Sequence, residues 1–233
     1  MTDIRQRRKA ARYLGALKKA VRSLEQYYQH DLPIIDALTS VSRPNPRFPH
    51  RAHYISLSNA SQCNFKYVSQ EPGKLVFFSE TDDGDDICIK FVTQYSKDVH
   101  EKCASMGFAP AIKGFDHLPG RWHMVIMDII GNDYERFDIS YRSPALQNVI
   151  KEKLIALHQA SYVHGDVRDV NVMVKRDGSP EFMLVDFDWA GEIGKARYPM
   201  NINRVGISRP DGVHDGEVIT ADHDMKMVDI MFE

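Results

Sequence analysis

From residue 4 to residue 30 the chain runs without a proline, and Leu14, Leu17, Val21, Leu24 and Tyr28 recur at steps of three and four. That spacing is one face of a helix. Ala10, Tyr13, Ala20 and Tyr27 widen the stripe. The expected use of the stripe is packing on the rest of the chain; an anionic lipid or nucleic-acid surface is the alternative. A mitochondrial presequence is disfavoured, because Ser23 is the only serine in the helix and no cleavage signal follows. Prolines 33, 44, 46 and 49 then mark a linker or extended wrap. Strand-like runs come next at 54–57, 75–79 and 87–92, and Asp83-Gly84 joins the last two as a hairpin turn. A helix is expected over 96–106, stopped by Gly107, and a strand over 123–129. Ser143-Pro144 combines an N-cap with proline at the first helical position, and opens a helix with Leu146, Val149, Ile150, Leu154 and Leu157 on its apolar face. Residues 171–174 and 182–185 read as two short strands around Asp177-Gly178, 191–216 as irregular, and a last helix begins near Ala221. The order predicts an α+β chain in three parts. These are a helix and proline-rich linker over 1–50, a sheet with one helix over 51–130, and a helix-rich segment over 131–233.

Composition narrows the class. Hydrophobic residues make up 43% and charged residues 27%, with 14 Gly and 11 Pro, which excludes a disordered or collagen-like chain of 233 residues. The longest apolar candidate for a membrane span, 123–131, is short and carries Asp128. Three cysteines without a C-x-x-C spacing argue against a disulfide framework and a thiolate zinc site, so a reducing interior, cytoplasmic or nuclear, is the expected location. The net charge of −2 hides an asymmetry: residues 1–30 hold eight Lys or Arg against two acids, while the remainder holds 22 against 30. The chain is a basic arm on an acidic body, without a strong nucleic-acid signal.

The chemistry concentrates in His164-Gly-Asp-Val-Arg-Asp-Val-Asn171 and in Leu184-Val-Asp-Phe-Asp-Trp189. Asp166 and Asn171 share one loop and Asp186 ends an apolar strand, so three oxygen-bearing side chains can surround a hard divalent cation and a phosphate chain. Arg168 adds a phosphate-seeking cation. Charges beside apolar strands are costly unless paired, which favours a site over packing. The dipeptides His214-Asp215 and His223-Asp224 could serve a metal-dependent phosphohydrolase, but they lack further ligands at recognisable spacing.

These motifs resemble the protein-kinase-like superfamily, whose catalytic loop reads H-x-D-x-x-x-x-N and whose metal motif is D-F-G. The H-G-D variant resembles the short atypical members: RIO-type kinases, the compact kinase of the tRNA threonylcarbamoylation complex, and aminoglycoside or choline phosphotransferases. Ala196-Arg-Tyr-Pro199 and Arg209-Pro-Asp-Gly-Val213 resemble the tail of small kinase-like proteins of mushroom-forming fungi. The likeness covers about 85–233 and implies a minimal two-lobed fold with a truncated C-lobe, using ATP and magnesium. It makes Asp166 the group that acts on the acceptor hydroxyl and Arg168 a holder of the γ-phosphate, with Asn171 and Asp186 as magnesium ligands. It also makes Lys90 the lysine on the α- and β-phosphates, paired with Asp98 or Glu101, and places Met127 and Asp128 at the adenine hinge. Asp224 resembles the aspartate that braces the catalytic-loop backbone. The sequence departs from the family in three places. No G-x-G-x-x-G precedes Lys90, so 58–63 stands as the phosphate loop; Asp188 replaces the glycine of D-F-G; and only 44 residues follow Trp189. The implied activity is phosphoryl transfer to an unknown acceptor. The rival is a pseudokinase, a nucleotide- or partner-binding module that holds a protein partner through the basic helix.

Overall fold

The computed structural model describes residues 4–29 and 49–233. The chain divides into two compact units, Met1–Pro44 and Asn45–Glu233. The expected linker over 33–49 lies, but for Pro49, outside the described residues. In the first unit, α1 (Ile4–Gln29) is one uninterrupted helix that carries no acid in its first turn and no base in its last. Neither end therefore complements the helix dipole.

The second unit opens with a six-stranded antiparallel sheet. Its strands are β1 (His53–Ile55), β2 (Gln62–Gln70), β3 (Val76–Thr81), β4 (Asp86–Val92), β5 (Ile112–Leu118) and β6 (Trp122–Asp128), in the order β1-β2-β3-β4-β6-β5. Period-two alternation in β4 decides what faces where. Ile87, Ile89 and Phe91 are buried in a cluster with Tyr54, Phe65, Phe77, Met124 and Ile126, which puts Cys88 and Lys90 on the opposite face. Asp83-Gly84 turns the β3–β4 hairpin, with Gly84 at φ 87°. The expected strands omit β2 and β5: β2 alternates inward Cys63, Phe65 and Tyr67 with outward Asn64 and Lys66 only as far as a register shift at Tyr67/Ser69, and β5 contains Gly114. That glycine is needed, because a Cβ there would lie 2.5 Å from the Tyr54 ring.

The helices and the remaining strands form a second core. α2 (Lys97–Ser105), α3 (Pro144–Gln159) and α4 (Ala221–Phe232) contribute Val99, Cys103, Leu146, Ile150, Leu154, Leu157, Met227, Val228 and Met231. The Ser143 side chain accepts from the Leu146 amide at 3.2 Å and so caps α3, a contact of about 1 kcal/mol. β7 (Tyr134–Arg136), β9 (Val172–Lys175) and β10 (Phe182–Leu184) form a three-stranded sheet. β8 (Tyr162–Val163) pairs with β11 (Gly191–Glu192). The irregular stretch after β11 has a small core of its own: Tyr198, Ile202 and Val213 pack with Val163 and Ile219. Among the described residues, no helix is long and apolar enough to cross a membrane.

Candidate functional site

The loop between β8 and β9 is held from below by α4. Asp224, 1% exposed, accepts the amides of His164 and Gly165 at 2.8 Å each and meets His158 Nε2 at 3.1 Å. Burial lowers the His164 pKa, so the ring is neutral. Its Nε2–H donates to Val185 O at 3.2 Å, and its Nδ1 accepts from the Asp166 amide at 3.3 Å. This histidine ties the loop to the end of β10. Gly165 sits at φ 84°, and a Cβ there would lie 2.8 Å from Ile219 Cδ1. Gly165→Ala is therefore expected to destabilise the chain by about 2 kcal/mol. Urea unfolding measures this, and an unchanged midpoint would contradict the packing described.

The loop delivers Asp166, 6% exposed, into a dense set of donors. Asn171 Nδ2 donates to Asp166 Oδ2 and to its backbone oxygen, each at 2.9 Å, and Arg168 Nε donates to Oδ2 at 2.9 Å. Arg209, which no motif of the sequence singled out for the site, reaches Oδ1 at 3.2 Å through Nη1.

Past β10, Asp186 adopts φ 71°, a strained value for a residue with a Cβ. Asp186 accepts from Lys90 Nζ at 2.7 Å, and Asp188 accepts from the same nitrogen. Burial works against the charge on Lys90, yet the two carboxylates lift its pKa above the ordinary lysine value. Burial also raises both acids. Lys90 outweighs this at Asp186 and carries it below the usual range, whereas Asp188, also repelled by Asp186, is raised to about 7. Phe187 lies between them, fully buried and stacked on His100 at 4.4 Å between centroids. Burial lowers His100 to about 4. The ring is neutral, donating from Nε2 to Pro110 O at 2.8 Å and accepting from Tyr95 Oη at 2.7 Å.

Lys90, Met127, Asp128, Asn171, Asp186 and Asp188 all line one cavity of about 1030 Å³. The structure thus brings together Lys90, Asp186, Asn171 and, through its bond to Asn171, Asp166. Arg168 sits on Asp166, while Asp128 pairs with Lys113 at 2.9 Å.

Asp98 and Glu101 do not pair with Lys90, contrary to expectation. The buried face of α2 is Val99, His100 and Cys103, so both acids point to solvent, and Glu101 bonds Lys97 at 3.3 Å. Residues 58–63 do not form a phosphate loop either. They turn β1 into β2, with the Ala60 amide on Ser56 O at 2.9 Å, and they do not line the cavity. Because β2 is not among the expected strands, the hairpin at the cavity lies one strand later than expected. The hairpin that borders the cavity joins β2 to β3 and contributes Glu71, Lys74 and Leu75, with Gly73 at φ 75°. The phosphohydrolase ligands are likewise occupied elsewhere. Asp215 accepts the amides of Asn201 and Ile202, and His223 completes the N-terminal cap of α4 with Thr220.

The donor set fits a magnesium ion shared with phosphates. Asn171 spends its amide nitrogen on Asp166, which leaves Oδ1 available as an oxygen ligand, and Asn171 and Asp186 line the same cavity. Among the described residues no group of three or more His, Cys, Asp or Glu could hold a metal alone. Magnesium commonly takes one or two carboxylates and completes its shell with water and substrate phosphates.

No family model matches the chain, and no curated protein matches it. Among solved structures, the kinase PK-1 of Cydia pomonella granulovirus is similar with a TM-score of 0.56 at 17% identity, over 70% of this chain and 65% of the viral one. Vaccinia related kinase 3 is similar with a TM-score of 0.53 at 16% identity, over 81% and 68% respectively. The chain therefore spans just under two thirds of the viral kinase's length. At these identities the likeness is one of fold, and the fold is kinase-like.

Proposed function

We propose that this chain is an ATP- and magnesium-dependent phosphotransferase of atypical kinase type, acting on a hydroxyl of a small molecule or an unusual protein site. The observation that carries the reading is the single cavity whose wall holds Lys90, Asn171 and Asp186, with Asp166 bonded to Asn171 at its edge. In this reading Lys90 meets the α- and β-phosphates, and Asn171 Oδ1 and Asp186 hold magnesium, which supplies charge neutralisation at the phosphates. The end of β6, at Met127 and Asp128, receives the adenine. Asp166 orients the acceptor and takes its proton as the acceptor oxygen bonds to the γ-phosphorus. The bond from that phosphorus to the bridging oxygen breaks, and its electron pair leaves with ADP. Arg168 holds the transferring phosphoryl group.

The H-G-D loop and the tail around Arg209 support placing the protein with RIO-type kinases and the small kinase-like proteins of mushroom-forming fungi. Three free cysteines suit a cytoplasmic or nuclear setting.

A pseudokinase is the second reading. One observation favours it: the cavity hairpin offers Gly73 as its only glycine, and Pro72 beside it has no amide to give a phosphate. Such a module would act through a protein partner bound by α1. The readings separate on turnover. Purified chain with labelled ATP and magnesium is expected to form ADP, and bound but unconsumed ATP would favour the module.

If Asp186 and Asp188 anchor Lys90 as drawn, the double variant Asp98→Ala/Glu101→Ala keeps nucleotide affinity within about twofold. Asp188→Ala is expected to weaken it about tenfold, near 1.4 kcal/mol. Titration calorimetry with ATP and magnesium measures both, and a reversed order would restore the acids of α2 to the site.

A further inference from the structure

Asp166 has two cationic neighbours, and they differ in freedom. Arg168 is 27% exposed at its side chain, and among the described residues its ion pair is the contact to Asp166 Oδ2. Arg209 is 5% exposed at its side chain. It is held on three sides: Nη1 on Asp166 Oδ1 at 3.2 Å, Nε on Asn203 O at 3.3 Å, and the guanidinium over the Trp189 ring at 5.0 Å. Trp189 in turn packs edge-on against Tyr198 at 5.8 Å. The segment that carries Arg209 is itself anchored. Ile202 and Val213 are buried on Tyr198, and Asp215 takes the amides of Asn201 and Ile202.

A buried carboxylate between two guanidinium groups has more positive charge around it than it can neutralise. The excess is removed when an anion draws one of them away. Arg168, the exposed one, is free to turn toward an incoming phosphate; Arg209, pinned by ring and carbonyl, stays. Once Arg168 has turned, Asp166 keeps one cation on Oδ1, and Oδ2 is opened on the side of Arg168. The amide of Asn171 remains on Oδ2 and fixes the plane of the carboxylate.

We infer that Arg209 is a positioning residue for Asp166: it locks Oδ1 and supplies the countercharge that lets Arg168 go to the phosphate, so that Oδ2 is the oxygen offered to the acceptor hydroxyl. The tail after β11 is thus a working part of the site, contributing a cation from 43 residues beyond Asp166. This inference rests on the phosphotransferase reading and deepens it.

The test uses the full chain with ATP and magnesium, comparing wild type, Arg209→Met and Arg209→Lys. Three quantities are read: melting without nucleotide, the KM for ATP, and kcat for ADP formation with and without sub-denaturing guanidinium ion. Arg209→Met is expected to hold KM within about twofold and to lower kcat about 100-fold. Guanidinium ion should restore that variant at least about tenfold without stimulating wild type, and Arg209→Lys should retain more activity than the Met variant. An unchanged kcat in Arg209→Met overturns the inference alone. A raised kcat overturns it too, since the contact would then obstruct the acceptor. A fall in kcat that tracks lowered melting and resists guanidinium marks a merely structural ion pair. Wild type that binds nucleotide but forms no ADP removes the phosphotransferase reading and the inference with it.

Discussion

Asp186→Ala is expected to abolish the magnesium-dependent stabilisation of the chain by ATP while leaving the nucleotide-free protein folded. The structure explains both halves. Removing the carboxylate does not orphan Lys90, because Asp188 stays bonded to the same ammonium. Asp186 is also 35% exposed at its side chain, so little packing is lost. What disappears is the carboxylate that, in the proposed site, holds the metal beside Asn171. A ligand present at 100 times its dissociation constant stabilises the folded state by about 2.7 kcal/mol, and that increment should vanish in the variant. Thermal melting with and without ATP and magnesium measures it. An equal rise in wild type and variant would contradict the metal assignment.

Asp166→Asn should separate binding from transfer. Asp166 does not line the proposed nucleotide cavity and is bonded to Asn171, which does, so ATP affinity should stay within about threefold. Turnover should fall by about 100- to 10,000-fold, the range that a positioned proton acceptor contributes. The ion pairs to half-buried Arg168 and buried Arg209 weaken at the same time, so the variant should also melt earlier. Steady-state ADP formation beside a calorimetric titration reads the two effects independently. Loss of ATP binding comparable to the loss of turnover would move Asp166 into the metal shell.

Much of the site was legible before the fold was, for physical reasons that can be named. The Ser143-Pro144 cap, the Asp83-Gly84 turn and the period-two strand around Lys90 are local signals, each set by neighbours within a few residues, and each lies where the pattern put it. The loop from His164 to Asn171 keeps its chemistry within eight positions, so spacing alone groups Asp166 with Asn171. Other features depend on contacts that no local pattern encodes. β2 keeps its alternation only from Gln62 to Tyr67, where the register shifts and Val68 is exposed, and without that strand the phosphate hairpin is expected one strand too early. Family spacing alone points to the acids of α2 as partners of Lys90. The helix phase, set by Val99, His100 and Cys103 packing inward, turns them out. Asp188 was visible as the residue in place of a glycine, yet its bond to Lys90 spans 98 positions. Arg209 stood in a recognisable tail with nothing local to say that it ends on Asp166.

The proposed phosphotransfer requires the cavity beside Lys90 to be a magnesium-dependent nucleotide site. Titration calorimetry of the purified chain with ATP, once with magnesium and once with a chelator, tests it most directly. A magnesium-dependent nucleotide site there requires saturable one-to-one binding with magnesium and at least about tenfold weaker binding without it. Absence of binding in both titrations, or equal binding in both, would contradict it.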